Sequence, residues 1–328
     1  MTEPPEDLAH LIHEALTQLS WGADAKRIAT RIWRLNIGLP REDEFSVVCG
    51  WLGQCELIHK LDQKQTPRQS SNSFQVPDLI AIFRLKTRRI PVLIEVKSKK
   101  DNILSFRPDY YEKLKNYADS VGLPLLIAWK FHGMWVLFDS SHLRKAQSNL
   151  NVRFDLAIGE NLLGVLAGDF SYSLYPNSGL HLRIRKDELL ETAPSDTGYT
   201  EQWIMTIEDA YFTNGEGEEI HNLPPEVQAL VLSWDLEGKE EHSATHILMS
   251  FIVPEQMPLF AHMALVNLLN FQTPQGQSLN WRTLLSKSNI VKGIADFAGA
   301  VRSAMDRKVV RTVLHQRPRT QPDFLHGT

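Results

Sequence analysis

Two strongly apolar runs separated by a basic connector lie between residues 76 and 100, and they limit what the chain can fold into. The stretch reads VPDLIAIFRLKTRRIPVLIEVKSKK. Runs of this length, rich in β-branched residues and joined by a short polar turn, predict two strands paired as a hairpin. We place these strands near 78–83 and 90–97.

Three charged residues, Asp78, Glu95 and Lys97, lie where buried strands are normally apolar. Strand side chains alternate between two faces, so Glu95 and Lys97 project together, and in a hairpin Asp78 lies beside Glu95. Two carboxylates that close repel each other unless one keeps a proton or a cation lies between them. A hard divalent ion such as Mg²⁺ suits this position because it takes oxygen ligands and keeps waters for chemistry. A lysine there can orient or deprotonate a water, or stabilise charge on a phosphate.

The surrounding pattern predicts a mixed sheet flanked by helices, which is an α/β core. Apolar spacing and stop signals predict helices at 6–20, 24–36, 41–53 and 108–122, with further strands in CELIHKLDQ, LPLLIAW and MWVLFD. Between residues 41 and 139 the order is helix, three strands, helix, two strands.

The pattern changes after about residue 150, where we expect an α+β domain. GDFSYSLYPNSGLHLRIRK predicts one hairpin, and Asn214-Gly215 predicts another. Helices are expected at 259–270 and 282–314. The predicted organisation is an N-terminal helical segment at 1–40, a core at 41–149, and a C-terminal domain at 150–328. We expect the last to govern substrate choice, oligomerisation or regulation.

The order Pro77-Asp78, then Glu95-Val96-Lys97, resembles the PD-(D/E)xK nuclease superfamily. Within that superfamily, the segment from about residue 44 to residue 139 is most similar to the archaeal-type Holliday junction resolvases. The resemblance implies a restriction-endonuclease-like core that binds a divalent metal and cuts DNA.

The resemblance also implies roles for particular residues. Asp78, Glu95 and the backbone carbonyl of Val96 would be metal ligands, Glu44 would complete the shell, and Lys97 would be the catalytic lysine. Glu42, Asp43 and Glu56 are alternatives to Glu44, and an acid in the first turn of a helix is also favourable without any function. Tyr110 stands where many relatives have a glutamine.

Basic residues follow the proposed site closely, with ten Lys/Arg against four Asp/Glu in 81–115. We predict phosphate contacts there, although a solvated hairpin tip is the alternative. The residues expected to contact nucleic acid are Arg84, Lys86, Arg88, Arg89, Lys99, Lys100, Tyr110 and Lys130. A second basic stretch, Arg302, Arg307, Lys308, Arg311, Arg317 and Arg319, either contacts phosphate or docks on the acidic region 200–260.

Composition excludes several other classes. The net charge of −4 does not indicate a wholly basic nucleic-acid binder, although binding depends on where the charge lies, and two cysteines exclude a disulfide framework or a cysteine-rich zinc module. We expect no signal peptide and no membrane span, and therefore a cytoplasmic protein. His242 and His246 are four residues apart, but the flanking sequence predicts strand, so we do not expect a zinc site.

These patterns predict a Mg²⁺-dependent endodeoxyribonuclease, with Mn²⁺ as a substitute, acting on branched DNA or in defence against phages and mobile elements. Three alternatives stay open: a DNA-binding or scaffold subunit that keeps the fold without chemistry, an RNA-directed nuclease, and a nuclease that is latent until a partner engages it. A homodimer, or a partner protein bound through the C-terminal half, is also expected.

Overall fold

The computed structural model describes residues 41–63, 67–86, 88–195, 198–271, 284 and 296–326. The predicted helices at 6–20 and 24–36 lie outside these residues. The helices are α1 (41–52), α2 (Pro108–Val121), α3 (Phe154–Gly159), α4 (Leu163–Leu166), α5 (Pro225–Leu232), α6 (Ala261–Phe271) and α7 (Phe297–Asp306).

The strands fall into four sheets in the described part of the chain. In chain order they are β1 (Cys55–Lys60), β2 (Leu79–Leu85), β3 (Arg88–Ser98), β4 (Ile103–Phe106), β5 (Leu125–Phe131), β6 (Met134–Asp139), β7 (Arg144–Ala146), β8 (Asn149–Arg153), β9 (Ser171–Leu174), β10 (Gly179–Ser195), β11 (Gly198–Thr213), β12 (Glu219–Ile220), β13 (Glu237–His242), β14 (His246–Ile252), β15 (Leu259–Phe260) and β16 (Val310–Leu314).

The first sheet is mixed and has the order β1-β2-β3-β5-β6. Strands β3 and β5 run parallel, connected through α2, whereas the other neighbours are antiparallel. The predicted hairpin and the α/β fold class are confirmed. The prediction missed β4, which comes between β3 and α2 and joins a separate sheet of order β4-β8-β7.

Helices cover the two faces of the mixed sheet. On one face Ile94 and Ala128 pack in a hydrophobic cluster with Phe45 of α1. On the other face Leu93 and Trp129 pack with α2. Strand side chains alternate between the two faces. In β3 and β5, even-numbered residues therefore pack toward α1 and odd-numbered residues pack toward α2.

Local sequence sets the ends of α2, the helix above the proposed site. Pro108 occupies the first turn, where its missing N–H costs nothing, and Arg107 before it is extended. Gly122 ends the helix in the left-handed region at φ 68°. These signals hold the N-terminal turn of α2 close to the end of β3.

The C-terminal half contains two further sheets, of order β12-β11-β10-β14-β13 and β15-β9-β16. The predicted hairpin around Asn214-Gly215 is confirmed, since β11 pairs with β12. The predicted pairing across the Asn-Ser-Gly turn is wrong: β9 pairs with β15 and β16, and β10 belongs to the other sheet. Of the helix predicted over 282–314, residues 282–295 lie outside the described residues except Leu284; α7 confirms the part at 297–306, and β16 is a strand where the prediction had helix.

Packing is continuous across the predicted boundary at residue 149. Strand β8 spans that boundary, and one hydrophobic cluster contains Phe45 and Leu79 together with Leu230 and Phe297 from the C-terminal half. The division into 41–149 and 150–328 therefore stays a prediction about function. None of the helices among the described residues has the length and apolar character that a membrane crossing requires.

Candidate metal and catalytic site

The register of the central hairpin brings Asp78 and Glu95 together. Leu79 pairs with Ile94, so the next position along places Asp78 opposite Glu95. Beyond this point β3 continues to Ser98, paired with β5 only. Along residues 95–98, the backbone groups on the β2 side of β3 are therefore not paired with β2. They can bind side chains instead, and this is where the two carboxylates lie.

Glu95 is fully buried and makes two hydrogen bonds through one oxygen. Its Oε1 accepts a bond from the Tyr110 hydroxyl at 2.6 Å and a bond from the Lys97 ammonium. Its Oε2 is buried and has no hydrogen-bond partner among the described residues. A buried carboxylate oxygen without a partner is costly, which makes it a natural ligand for a cation.

Asp78 lies just before β2 and accepts a hydrogen bond from the backbone N–H of Val96 at 2.8 Å. Burial, reinforced by the charge of Glu95, raises the pKa of Asp78 from 3.8 to about 7. The nearby ammonium of Lys97 and the Val96 hydrogen bond only partly offset this rise. Without a cation, the pair therefore keeps a proton near neutral pH.

Lys97 lies on the same strand face as Glu95, as the alternation predicts. Burial alone would lower the pKa of its ammonium, but the charges of Glu95 and Asp78 outweigh burial and raise it. The ammonium also lies over the ring of Tyr110, 5.3 Å from the centroid. Lys97 therefore stays a cation at neutral pH.

The residues at this position fit a hard divalent ion. Asp78 and Glu95 supply carboxylate oxygens, including the unpartnered Oε2, and oxygen is the ligand such ions prefer. A strand residue directs its N–H and its carbonyl to the same edge, so the carbonyl of Val96 faces the side where its N–H meets Asp78. No group of three or more His, Cys, Asp or Glu side chains suitable for a metal occurs in the described part of the chain. A metal here would therefore use backbone oxygen and water besides the two carboxylates.

Glu44, predicted as a further ligand, is engaged elsewhere. It accepts hydrogen bonds from Arg41 at 2.8 Å, from the Trp135 ring N–H at 3.1 Å, and from the Lys130 ammonium. Lys130 has the parity of Ala128, which packs toward α1, whereas Glu95 projects toward α2. These bonds give Glu44 and Lys130 a structural role. None of these bonds supports the metal-binding role predicted for Glu44 or the DNA contact predicted for Lys130.

Glu42 is the acid of α1 whose charge reaches the site. It raises the pKa of Asp78 and of Lys97, after the larger effects of burial and of the nearer charges. Lys60, at the end of β1, lies 2.9 Å from the Glu42 carboxylate. The sequence contains three successive acids at the start of this helix, and only the docking of the helix decides which one faces the site.

The basic connector of the hairpin lies away from the site, contrary to its predicted position. Arg84 pairs with Arg89 at the turn, six residues along β2 from Asp78, a separation of roughly 20 Å. Arg84 and Arg89 form ion pairs with Glu56, and Arg88 donates to the backbone of His326. Lys86 occupies the turn itself with a φ of 52°. The proximity inferred from sequence is wrong because the strands carry the turn to the opposite end of the sheet.

Other predicted contacts lie at the end of β3 that carries the site. Lys99 shares the strand parity of Lys97, donates to the Ile103 carbonyl at 2.9 Å and lies 3.2 Å from Asp101. Lys100 is exposed beside it. Tyr110 turns inward to Glu95, so its position favours a role in orienting that carboxylate. The sequence predicts a nucleic-acid contact for Tyr110 because a tyrosine can donate to a phosphate, and its hydrogen bond to Glu95 is not visible in the sequence.

Three of the remaining charged candidates, His242, His246 and Lys308, have acidic partners within the protein. His242 lies 3.3 Å from Glu240, and His246 lies 2.9 Å from Glu208, so the two histidines have different acidic partners. In the second basic stretch, Lys308 pairs with Glu216 of the acidic region. This contact favours docking for Lys308 over the phosphate contact.

An Asp–Glu pair at the end of two central strands, with a lysine on the same strand face, is the arrangement of PD-(D/E)xK nuclease cores. In agreement, residues 66–169 match the family model of the archaeal Holliday junction resolvase, Hjc. The resemblance seen in the motifs is thereby confirmed for this segment, which is less than half of the chain.

A similarity to a solved structure was also found. The Hjc of Archaeoglobus fulgidus, a Holliday junction resolvase from an archaeal hyperthermophile, is 21% identical, with a TM-score of 0.31. The match covers 37% of this chain and 92% of that chain. No curated protein matches this chain in sequence. The similarity of the segment to this family rests on the sequence match.

Proposed function

We propose that the protein is a metal-dependent nuclease that hydrolyses phosphodiester bonds in DNA, with branched DNA as its substrate. The observation that carries the proposal is the buried Asp78–Glu95 pair, with an unpartnered carboxylate oxygen and Lys97 beside it. The match of residues 66–169 to a resolvase family supports both the reaction and the substrate class.

Each residue of the site has a distinct task in this proposal. Asp78, Glu95 and the Val96 carbonyl hold a divalent cation, for which Mg²⁺ is the expected ion and Mn²⁺ the substitute. When bound, the cation supplies a Lewis acid that polarises the phosphate and lowers the pKa of water. Tyr110 fixes the orientation of Glu95 through its 2.6 Å hydrogen bond.

Lys97 acts as a fixed positive charge. Its raised pKa keeps it protonated, so it stabilises the negative charge that develops on the phosphate in the transition state. A lysine acting as a base would need a lowered pKa. In the metal-free protein, the raised pKa of Lys97 therefore favours the electrostatic role over proton abstraction.

Substrate contacts in this proposal lie at the site end of β3. Lys99 and Lys100 follow the site and are the cations placed to meet the backbone of bound DNA. The C-terminal half supplies the rest of substrate choice.

The proposed location of the protein is the cytoplasm. Two cysteines without a disulfide framework suit that reducing compartment. The expected role in defence stays a prediction.

The proposal is tested by cleavage of a labelled four-way DNA junction and of linear duplex with the same sequence. We expect wild type to cut the junction with Mg²⁺ or Mn²⁺ and not with EDTA. Glu95→Gln should lose about a hundredfold or more of the rate, as for removal of a transition-state stabilising group. Glu56→Gln, an acid at the distant hairpin tip, is the matched control and should cut normally.

Other outcomes would change the conclusion. Binding of junction and metal without cutting would make the protein a binding subunit and overturn the proposed hydrolysis. Equal rates for wild type and Glu95→Gln would remove Glu95 from the site. Faster cutting of an RNA junction than of the DNA junction would replace the substrate.

A further inference from the structure

A two-stranded arm extends from the largest sheet of the C-terminal half. Strand β14 pairs with β10 only as far as Arg185. Beyond that point β10 and β11 pair only with each other in the part of the chain that is described, from Lys186–Met205 to Ser195–Gly198. We call residues 186–195 and 198–205 the arm; it is roughly 30 Å long. Two-stranded ribbons are at best marginally stable alone, so this arm needs a partner surface.

One face of the arm is apolar. Positions two apart along β11 share a face, and Leu189 joins them as the strand partner of Trp203. The exposed fractions are 76% for Tyr199, 59% for Ile207, 47% for Met205 and 44% for Leu189. Clustered exposure of large apolar side chains on a soluble protein marks an interaction surface. The opposite face bears Glu188 and Glu191 together with Ile204.

Charge argues against nucleic acid as the partner of the arm. The arm contains four acidic residues and a single cation, Lys186, at its base; the acids are Asp187, Glu188, Glu191 and Glu201. Phosphates would be repelled along most of its length. The occupant is therefore a protein surface with apolar side chains.

Two charges on the apolar face lie at equivalent distances from its centre. Lys186 pairs with Met205, and Glu201 lies four positions further toward the tip, with Trp203 between. Contacts confirm that the three share a face: the Trp203 ring N–H donates to Glu201 at 2.8 Å, and the Lys186 ammonium lies 5.2 Å from the Trp203 ring centroid. A half-turn about an axis that crosses both strands at the Leu189–Trp203 pair thus exchanges the position of Glu201 with that of Met205, the strand partner of Lys186.

We propose that the arm packs against the same face of the arm in a second copy of this chain, forming a symmetric dimer. An axis across the strands through the Leu189–Trp203 pair places Glu201 of each copy opposite Met205 and beside Lys186 of the other, and Tyr199 opposite Ile207. The patch is self-complementary, as a two-fold interface requires. The two ribbons stack face to face, about 10 Å apart, as sheets do in sandwiches. This inference does not rest on the proposed nuclease function.

Sedimentation velocity of the full chain over a range of concentrations tests the proposal. Wild type should dimerise. Glu201→Lys should weaken dimerisation about tenfold or more, because two like-charged pairs then face each other. Adding Lys186→Glu in the same chain restores opposite charges across the axis and should restore the dimer. Glu191→Lys, on the opposite face, is the matched control and should dimerise as wild type does.

Several results would overturn the proposal. A wild-type monomer at every concentration would do so. So would equal effects of Glu201→Lys and Glu191→Lys, or a double variant as weak as the single one. As a second measurement, a short bis-maleimide should crosslink Leu189→Cys between copies and leave Gln202→Cys, on the other face, uncrosslinked; the reverse result would contradict the packing.

Discussion

At the residue scale, the choice between Glu42 and Glu44 separates catalytic from structural acids. Glu44 is 1% exposed and bonded to Arg41, Lys130 and Trp135, whereas the charge of Glu42 acts on Asp78 and Lys97. We therefore infer that the negative charge of Glu42, and not that of Glu44, adds to the attraction of the site for a cation. Their position in the first helical turn makes Glu42, Asp43 and Glu44 candidates for a site residue, but it does not show which of the three faces the site.

The first prediction compares these two acids. Glu42→Gln should slow junction cleavage and weaken Mn²⁺ binding while the protein stays folded. Glu44→Gln should keep the cleavage rate of the folded protein but lower its stability by about 2 kcal/mol, because the partly buried Lys130 loses its counter-charge. Cleavage rates and urea unfolding of both variants check this. Loss of cleavage without loss of stability in Glu44→Gln would restore Glu44 as the ligand.

The second prediction concerns pH and Asp78. Its folded-state pKa of about 7 exceeds the ordinary value of 3.8, so the folded state holds more protons than the unfolded state between these pH values. The contribution of Asp78 to the stability of the metal-free protein should therefore fall as pH rises from about 4 to about 7. Asp78→Asn removes this contribution.

Urea unfolding in EDTA at pH 5 and pH 8 measures that difference. Relative to wild type, Asp78→Asn should be more stable at pH 8 than at pH 5. Asp119→Asn, an exposed aspartate on α2, is the control and should show no such pH dependence relative to wild type. The same result for both variants would mean that Asp78 titrates normally.

At the scale of secondary-structure elements, local patterns predicted what local forces decide. The helix at 41–52, the β2–β3 hairpin and α2 follow from apolar spacing, turn residues and proline and glycine signals. The wrong hairpin at β9 shows the limit: the turn after it is real, but its strand partners come from residues 259–260 and 310–314. Strand pairing between residues so far apart in sequence cannot be predicted from local sequence patterns.

The third prediction separates the two ends of the β2–β3 hairpin. Because the turn is roughly 20 Å from Asp78, Arg84→Ala with Arg89→Ala should leave junction affinity and its salt dependence unchanged. Lys99→Ala with Lys100→Ala should weaken binding and reduce the slope of log affinity against log salt by about 2, one phosphate contact per lysine. Fluorescence anisotropy in EDTA over a range of salt checks both.

The alternative outcome is also informative. A reduced slope for the arginine pair and an unchanged slope for the lysine pair would place the DNA across the turn. That result would support the phosphate contacts that the sequence predicts for the basic connector.

At the scale of the whole molecule, buried polar contacts tie the nuclease-type core to the C-terminal half. The His262 ring, fully buried, lies 2.7 Å from the Asp169 carboxylate and accepts a hydrogen bond from the backbone N–H of Trp135 in β6. Together with the shared hydrophobic cluster, this contact makes the core dependent on residues after 150. The sequence could not show this, since neither His262 nor Asp169 belongs to a recognisable motif.

The fourth prediction tests this dependence. His262→Ala leaves one oxygen of the buried Asp169 carboxylate and the buried backbone N–H of Trp135 without their ring partner and should cost about 3 kcal/mol of stability. Loss of tryptophan fluorescence signal and of cleavage should coincide in one urea transition. His221→Ala, at an exposed histidine 3.5 Å from Asp209, is the control and should change stability by less than about 0.5 kcal/mol. Early loss of cleavage, with the remaining structure intact, would show that the two halves unfold separately.

The fifth prediction concerns the cation held between two strand ends, which underlies the proposed chemistry. Anomalous diffraction from crystals of the protein soaked in Mn²⁺ would locate that ion directly. We expect a peak within coordination distance of a carboxylate oxygen of Asp78, of Oε2 of Glu95 and of the Val96 carbonyl, and no peak in Glu95→Gln crystals. A well-occupied peak elsewhere, with none between Asp78 and Glu95, would contradict the proposed site and the nuclease mechanism built on it.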